Sequence, residues 1–205
     1  NNAIINAEFA LELGGMSTEE ILETFRQINT YTEFLSGTID DFRNFSNPDK
    51  EKTWFTLHEV VRQTIGILQG SLDANTISLL YTPSEKEQLL KIYGPSGEFS
   101  QVILNILSNA RDALKEHSIQ NGHILITLRH INDTISLQIT DNAGGIPQAV
   151  LPKIFDPYFS TKNKAQGTGI GLYMSKIIIE KHFNGKLEAK NEGEGAVFTI
   201  TIPMP

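Results

Sequence analysis

The chain has 205 residues, 40% of them hydrophobic, enough to bury one sizeable core with a smaller appendage, which excludes a disordered chain. A formal net charge of -7 argues against a surface built for nucleic acid or anionic lipid, because both need concentrated Lys and Arg. Cysteine is absent, so disulfides and thiolate metal sites are excluded, and no apolar run approaches the roughly 20 residues of a membrane-spanning helix. The start, Asn1-Asn2-Ala3, resembles neither a signal peptide nor an initiation site. The expectation is a cytoplasmic piece of something longer that makes no membrane contact itself, with anchoring of the parent left open.

From Ile4 to Leu13 apolar residues recur at helical spacing, and Gly14-Gly15 then interrupts them as a helix stop would. A second helix follows, capped by Ser17 or Thr18 with Glu20 close behind, and Ile21, Phe25, Ile28, Leu35, Ile39 and Phe42 form its apolar stripe. Two helices joined by a glycine turn predict an antiparallel hairpin over residues 1–47. It buries its stripe either against a second copy in a four-helix bundle or against its own domain. The run Asn47-Pro48-Asp49-Lys50-Glu51-Lys52 is a charged breaker and marks a boundary, with the second domain over residues 54–205.

Beyond the boundary, Leu57 to Leu72 reads as an amphipathic helix, Ile77 to Tyr81 as a strand and Gln88 to Tyr93 as a further strand. Between Glu98 and His117 the apolar residues Phe99, Val102, Ile103, Ile106, Leu107, Ala110 and Leu114 mark one face of a helix. Strict alternation then takes over in Ile124, Ile126, Leu128 and in Ile135, Leu137, Ile139, joined as a hairpin through Asn132-Asp133. A helix is expected from Gly169 to His182, then strands Lys186 to Lys190 and Ala196 to Ile202 around a Gly193-Glu194-Gly195 turn. The fold class expected is α+β, a two-layer sandwich of helices on one face of a mixed, mostly antiparallel sheet, preceded by the helical hairpin.

Four elements of this second domain carry chemistry suited to a nucleotide. Asn105 and Asn109 lie four apart, so their amides share a helix face, and an amide oxygen is a hard ligand able to join phosphate oxygens and water around Mg²⁺. The plain alternative is a solvated polar face. Next, Asp141-Asn142-Ala143-Gly144-Gly145-Ile146-Pro147 ends an alternating strand in a carboxylate. An ionised carboxylate there accepts the exocyclic amine proton of adenine and repels the carbonyl of guanine, while Gly144 and Gly145 let backbone approach the base. The third element, Gly167-Thr168-Gly169-Ile170-Gly171-Leu172, precedes a helix whose N-terminus favours phosphate. Its spacing fits neither the Walker loop nor the dinucleotide fingerprint. Between the glycine elements, Ile154 to Gln166 reads as a hinged lid, rooted by Phe155 and Phe159, with Lys162 or Lys164 reaching the phosphates.

In this order the four elements resemble those of histidine kinases. Asn105-Ile106-Leu107-Ser108-Asn109-Ala110 looks like their N box, Asp141 to Gly145 like their first glycine box, Phe155 to Phe159 like their F box and Gly167 to Gly171 like their second. Thr38-Ile39-Asp40-Asp41-Phe42-Arg43-Asn44-Phe45 is similar to the end of their dimerisation hairpin. The resemblance implies the Bergerat ATP-binding fold, shared with DNA gyrase, mismatch-repair ATPases and a heat-shock chaperone. It implies Asn109 as the Mg²⁺ ligand and Asp141 as the adenine partner, beside Gly144, Gly145 and Ile146. Arg111, Asp112, Phe155, Phe159, Lys162 and Thr199 would complete the ATP contacts, with Gly167, Thr168, Gly169, Ile170, Gly171 and Leu172 as the phosphate cradle. Asn105, Asn109 and Lys162 would carry the catalysis. Hydrolases resembling this fold place a Glu at position 105 as general base, and an amide takes no proton at neutral pH, so Asn105 favours transfer over hydrolysis.

Histidine kinases resembling this chain phosphorylate a histidine on the first hairpin helix and pass the group to an aspartate of a response regulator, which would be a partner beside a second copy of the chain. His58, His117, His123, His130 and His182 all lie beyond the hairpin and match no acceptor motif, so structural roles are expected for them. A non-catalytic ATP-responsive interaction module and a Bergerat ATPase are the alternative functions.

Overall fold

The computed structural model describes residues 51–162 and 168–204, together with Leu22, Thr24 and Phe25. By its internal contacts the chain divides into two units, Lys50–Phe159 with Gly169–Pro205, and Asn1–Asp49 with Ser160–Thr168. Of the latter unit, Leu22, Thr24 and Phe25 are helical and the Lys162 N–H donates to Ser160 Oγ at 3.1 Å. The rest of the expected hairpin, including its Gly14-Gly15 turn, lies outside the described residues.

In the first unit, β1 (Thr53–Thr56) leads directly into α1 (Leu57–Ala74), whose buried Leu57, Val60, Val61, Thr64, Leu68 and Leu72 recur at helical spacing. Strand β2 (Ser78–Tyr81) follows, then the single-turn helix α2 (Glu85–Gln88) and β3 (Lys91–Gly94). The strand expected over Gln88 to Tyr93 is therefore corrected: Ser84 and Glu87 form a capping box that commits residues 85–88 to a helical turn, and extension begins only at Lys91. Strand β3 pairs antiparallel with β1 in a two-stranded sheet, Thr53 opposite Gly94.

The long helix α3 (Ser96–Glu116) buries Phe99, Val102, Ile103, Ile106, Leu107, Ala110 and Leu114, the stripe expected from the sequence. Strands β4 (His123–Ile131) and β5 (Thr134–Asp141) form the expected hairpin through Asn132, whose φ of 53° suits the tight turn. Helix α4 (Gly171–His182) and strands β6 (Lys186–Glu192) and β7 (Gly195–Pro203) complete the unit.

The main sheet has the order β2-β4-β5-β7-β6, with β2 and β4 parallel and the other neighbours antiparallel. Register puts Ile139 opposite Phe198 and Leu187 opposite Ile200, so the alternating apolar residues of four strands share one face. That face packs beneath α1, α3 and α4, in agreement with the two-layer α+β expectation. Phe183 meets Phe55 and Phe99 edge to face at one end, Phe55 and Phe99 lie tilted to one another, and the Thr64 and Ser100 hydroxyls, 2.8 Å apart, tie α1 to α3.

Candidate functional site

Asp141 is the last residue of β5, and its side chain is only 6% exposed. Burial raises its carboxyl above the ordinary value. The backbone N–H groups of Ala143 and Ala196 and the neighbouring His117 and His123 pull the other way, less strongly. The Ala143 N–H donates to Oδ1 at 2.9 Å and the Ala196 N–H to the same oxygen at 3.2 Å. Both bonds fall on one oxygen, which leaves Oδ2 for a ligand.

The loop after Asp141 is tethered almost residue by residue. Asn142 Oδ1 accepts the His123 N–H at 2.8 Å, and its Nδ2 donates to the Asn121 carbonyl at 3.3 Å. The Ala143 carbonyl meets His117 Nδ1 at 2.5 Å, at the C-terminal end of α3. The Gly144 N–H donates to the Glu194 carbonyl at 2.7 Å, and both backbone groups of Ile146 are held by Asn191. Gly144 and Gly145 have φ of 89° and 79°, a conformation other residues rarely adopt. The loop is thus set before any ligand arrives. His117 takes the structural role expected for it, whereas Asn121, Asn191, Glu194 and Ala196 were not among the residues singled out from the sequence. Asn191 lies just past the strand expected over Lys186 to Lys190, and β6 includes it only because it runs on to Glu192.

Asn105 and Asn109 lie half-buried on one face of α3, and Asp112 falls on the same face by helical spacing. The Asn105 amide donates from Nδ2 to Ser175 Oγ at 2.9 Å, and Ser175 in turn donates to the Gly171 carbonyl at 2.9 Å. Asn105 therefore joins α3 to the first turn of α4, where Gly171 and Leu172 sit just after Ile170. A Cβ on Gly171 would lie 2.5 Å from Asn105 Oδ1, and one on Gly169 would lie 2.4 Å from the Tyr158 carbonyl carbon. At Gly169 the obstacle is backbone, so packing within the protein requires the glycine there, whereas at Gly171 it is the end of the Asn105 side chain. The contact at Gly169 sets Gly169 against the backbone of Tyr158 and Phe159.

Several expected site residues stand elsewhere. Thr199 pairs with Gln138 and Glu188, three residues out of phase with Asp141, so strand alternation turns it to the opposite sheet face and away from the Asp141 carboxyl. Arg111 donates from Nε and Nη2 to Asp112 Oδ1, at 2.9 and 2.6 Å, and from Nη1 to Ser71 Oγ at 3.2 Å, so its guanidinium is engaged with α1. Phe155 and Phe159 are half-buried, and the buried anchor of that segment is Ile154; the Lys176 ammonium sits 5.3 Å from the Phe155 ring. Lys162 and Thr168 belong to the other unit, and Lys164 and Gly167 lie outside the described residues.

Along α3, Asn109 and the end at His117 are eight residues apart, about 12 Å of helix axis. The His117 end adjoins the buried carboxylate loop, and Asn105, one turn before Asn109, meets the first turn of α4. Among the described residues no group of three or more His, Asp or Glu could hold a metal alone. One amide oxygen on Asn109 fits a hard cation that arrives with phosphate oxygens.

A family profile described as histidine kinase-, DNA gyrase B-, and HSP90-like ATPase matches residues 94–205. The two-component sensor PprA of Pseudomonas aeruginosa is 35% identical over 143 residues, 68% of this chain and 15% of PprA. The catalytic domain of the histidine kinase ThkA is 30% identical with a TM-score of 0.65, over 75% of this chain and 95% of that one. ThkA in complex with the response regulator protein TrrA shares the fold at 24% identity and a TM-score of 0.68, over 100% of this chain and 58% of that one. The chain spans 15% of PprA and 30% of the related sensor histidine kinase ZraS of Salmonella typhi. With a nucleotide-type site built on this fold and a profile match over more than half its length, the chain belongs to the histidine kinase-, DNA gyrase B- and HSP90-like ATPase family, with a catalytic domain of the sensor histidine kinase type.

Proposed function

We propose that the chain is the ATP-binding catalytic portion of a two-component protein histidine kinase, moving the γ-phosphate of ATP to a histidine for relay to an aspartate of a response regulator. The observation that carries this reading is the buried Asp141 carboxyl with both backbone bonds on Oδ1. Oδ2 accepts the adenine amino group and repels the guanine carbonyl. Asn109 would hold Mg²⁺, whose charge would offset that of the phosphates. The N-terminus of α4 adds favourable partial charge beside them, and Asn105, unable to take a proton, orients this end without activating water. Lys162 is assigned to the γ-phosphate and residues 1–47 to a hairpin that pairs with a second copy. The solved ThkA complex contains a response regulator protein, which supports a receiver domain as partner.

Calorimetric titration of the chain with ATP and GTP, each with and without Mg²⁺, tests the reading. ATP binding tightened by Mg²⁺, with GTP at least about tenfold weaker, is expected from one charged hydrogen bond at the base. Equal affinities for the two purines would remove Asp141 from the base site.

A further inference from the structure

A groove of about 360 Å³ runs between α1 and the edge strand β2, lined by His58, Arg62, Ile65, Gly66, Leu79 and Tyr81, with Gln69 at its end. None of these residues belongs to the nucleotide site. His58, Arg62, Ile65, Gly66 and Gln69 fall on one face of α1, and Leu79 and Tyr81, two apart, fall on one face of β2.

Two observations suggest that the groove is kept for a ligand. First, His58 Nδ1 and the Tyr81 hydroxyl are buried and have no hydrogen-bond partner. Buried polar atoms are almost always paired, and among the described residues the two unpaired ones both belong to side chains lining this groove, with ring centroids 5.7 Å apart. Second, Gly66 stands in the interior of α1, where glycine destabilises a helix relative to alanine. A Cβ there would meet nothing within 4 Å, so protein packing does not demand the glycine. Gly66 lines the groove, so a large side chain at this position would extend into it.

The chemistry of the walls defines the occupant. Burial, and then the charge of Glu87, push the Tyr81 phenol up to about 12, so its hydroxyl is a donor at any physiological pH. Arg62 contributes a permanent positive charge, while Ile65 and Leu79 supply apolar sides. We propose that this groove binds a small carboxylate with an apolar body, the Tyr81 hydroxyl donating to the carboxylate at the buried end, Arg62 supplying the counter-charge, and Ile65 and Leu79 contacting the apolar part. His58, in the tautomer protonated at Nδ1, provides a second donor. The apolar sides and single cation favour this ligand over a bare phosphate.

The test is titration of the isotopically labelled chain with phenylacetate, followed by amide chemical shifts, with phenylacetamide and inorganic phosphate as comparators. Saturable shifts confined to residues 58–69 and 79–81 are expected with phenylacetate, and affinities lower by about tenfold with the other two. Gly66→Leu fills the groove and should abolish the shifts. Tyr81→Phe should weaken binding about tenfold while raising the melting temperature of the ligand-free chain, because an unpaired buried hydroxyl is removed. That rise separates lost binding from a damaged fold. Absence of saturable shifts, unchanged shifts in Gly66→Leu, or phosphate binding as tightly as phenylacetate would each overturn the proposal.

Discussion

Asn191 holds Ile146 by both of its backbone groups: Oδ1 accepts the Ile146 N–H at 2.7 Å, and Nδ2 donates to the Ile146 carbonyl at 2.6 Å. The two residues are 45 positions apart, and the pair fastens the far end of the Asp141–Ile146 loop to the β6–β7 hairpin. A Cβ on Gly145 would lie 2.9 Å from Asn191 Oδ1, so the glycine and the amide fit as a unit. Asn191→Ala should cost about 1–2 kcal/mol of stability, two hydrogen bonds at an exposed position, and weaken ATP binding several-fold through a looser loop. Urea denaturation and ATP titration on the same variant measure the two effects. Asn191→Asp, which retains the acceptor and loses the donor, should fall between.

Asp141→Asn should separate binding from stability. Its raised carboxyl value means that the folded chain keeps a proton over a window where the unfolded chain has released it. Stability is therefore lost as pH climbs from about 3.8 through the raised value. The amide removes that loss and still accepts from Ala143 and Ala196. The ligand-free variant should melt at a higher temperature than the parent near pH 7, with the difference closing as pH falls toward 3.8, while ATP affinity drops about 10- to 100-fold. Thermal melts across pH, with and without ATP, read both. A variant that melts lower at neutral pH would contradict the assigned sign.

Gly169 and Gly171 should differ in tolerance. At Gly171 the neighbour in the way is the Asn105 side chain, which rotates at the loss of its bond to Ser175, so Gly171→Ala should cost about 1–2 kcal/mol. At Gly169 the obstacle is backbone of Tyr158 and Phe159, and φ is 65°, so Gly169→Ala should cost about 3 kcal/mol or more. Denaturant midpoints give the order, and reversal would show that the backbone at Gly169 yields more readily than the Asn105 amide.

Asn109→Ala tests the cation site. The gain in ATP affinity on adding Mg²⁺ should vanish, while ATP binding in chelator changes far less, because the amide oxygen acts on the nucleotide through the cation. Titrations in magnesium and in chelator supply the comparison.

The periodicities of the sequence alone determined α1, α3, the β4–β5 hairpin, α4 and the last two strands, because each buries one face at a spacing legible along the chain. Asp141, at a strand end, and Asn105 and Asn109, four apart on one helix, were singled out as candidates by residue type and placement. The capping box at Ser84 and Glu87 was legible but outweighed by the apolar run that follows it. Strand β1 has four residues and no apolar alternation, and gains its identity only from β3, 41 positions from Thr53 to Gly94. Tertiary structure alone decided that Thr199 turns from the site, that Arg111 is spent on Asp112 and Ser71, and that His117, Asn191, Glu194 and Ala196 hold the loop. The physical reason is range: helical and strand patterns are local, whereas a hydrogen bond joining residues 45 or 55 positions apart exists only once the sheet has brought them together.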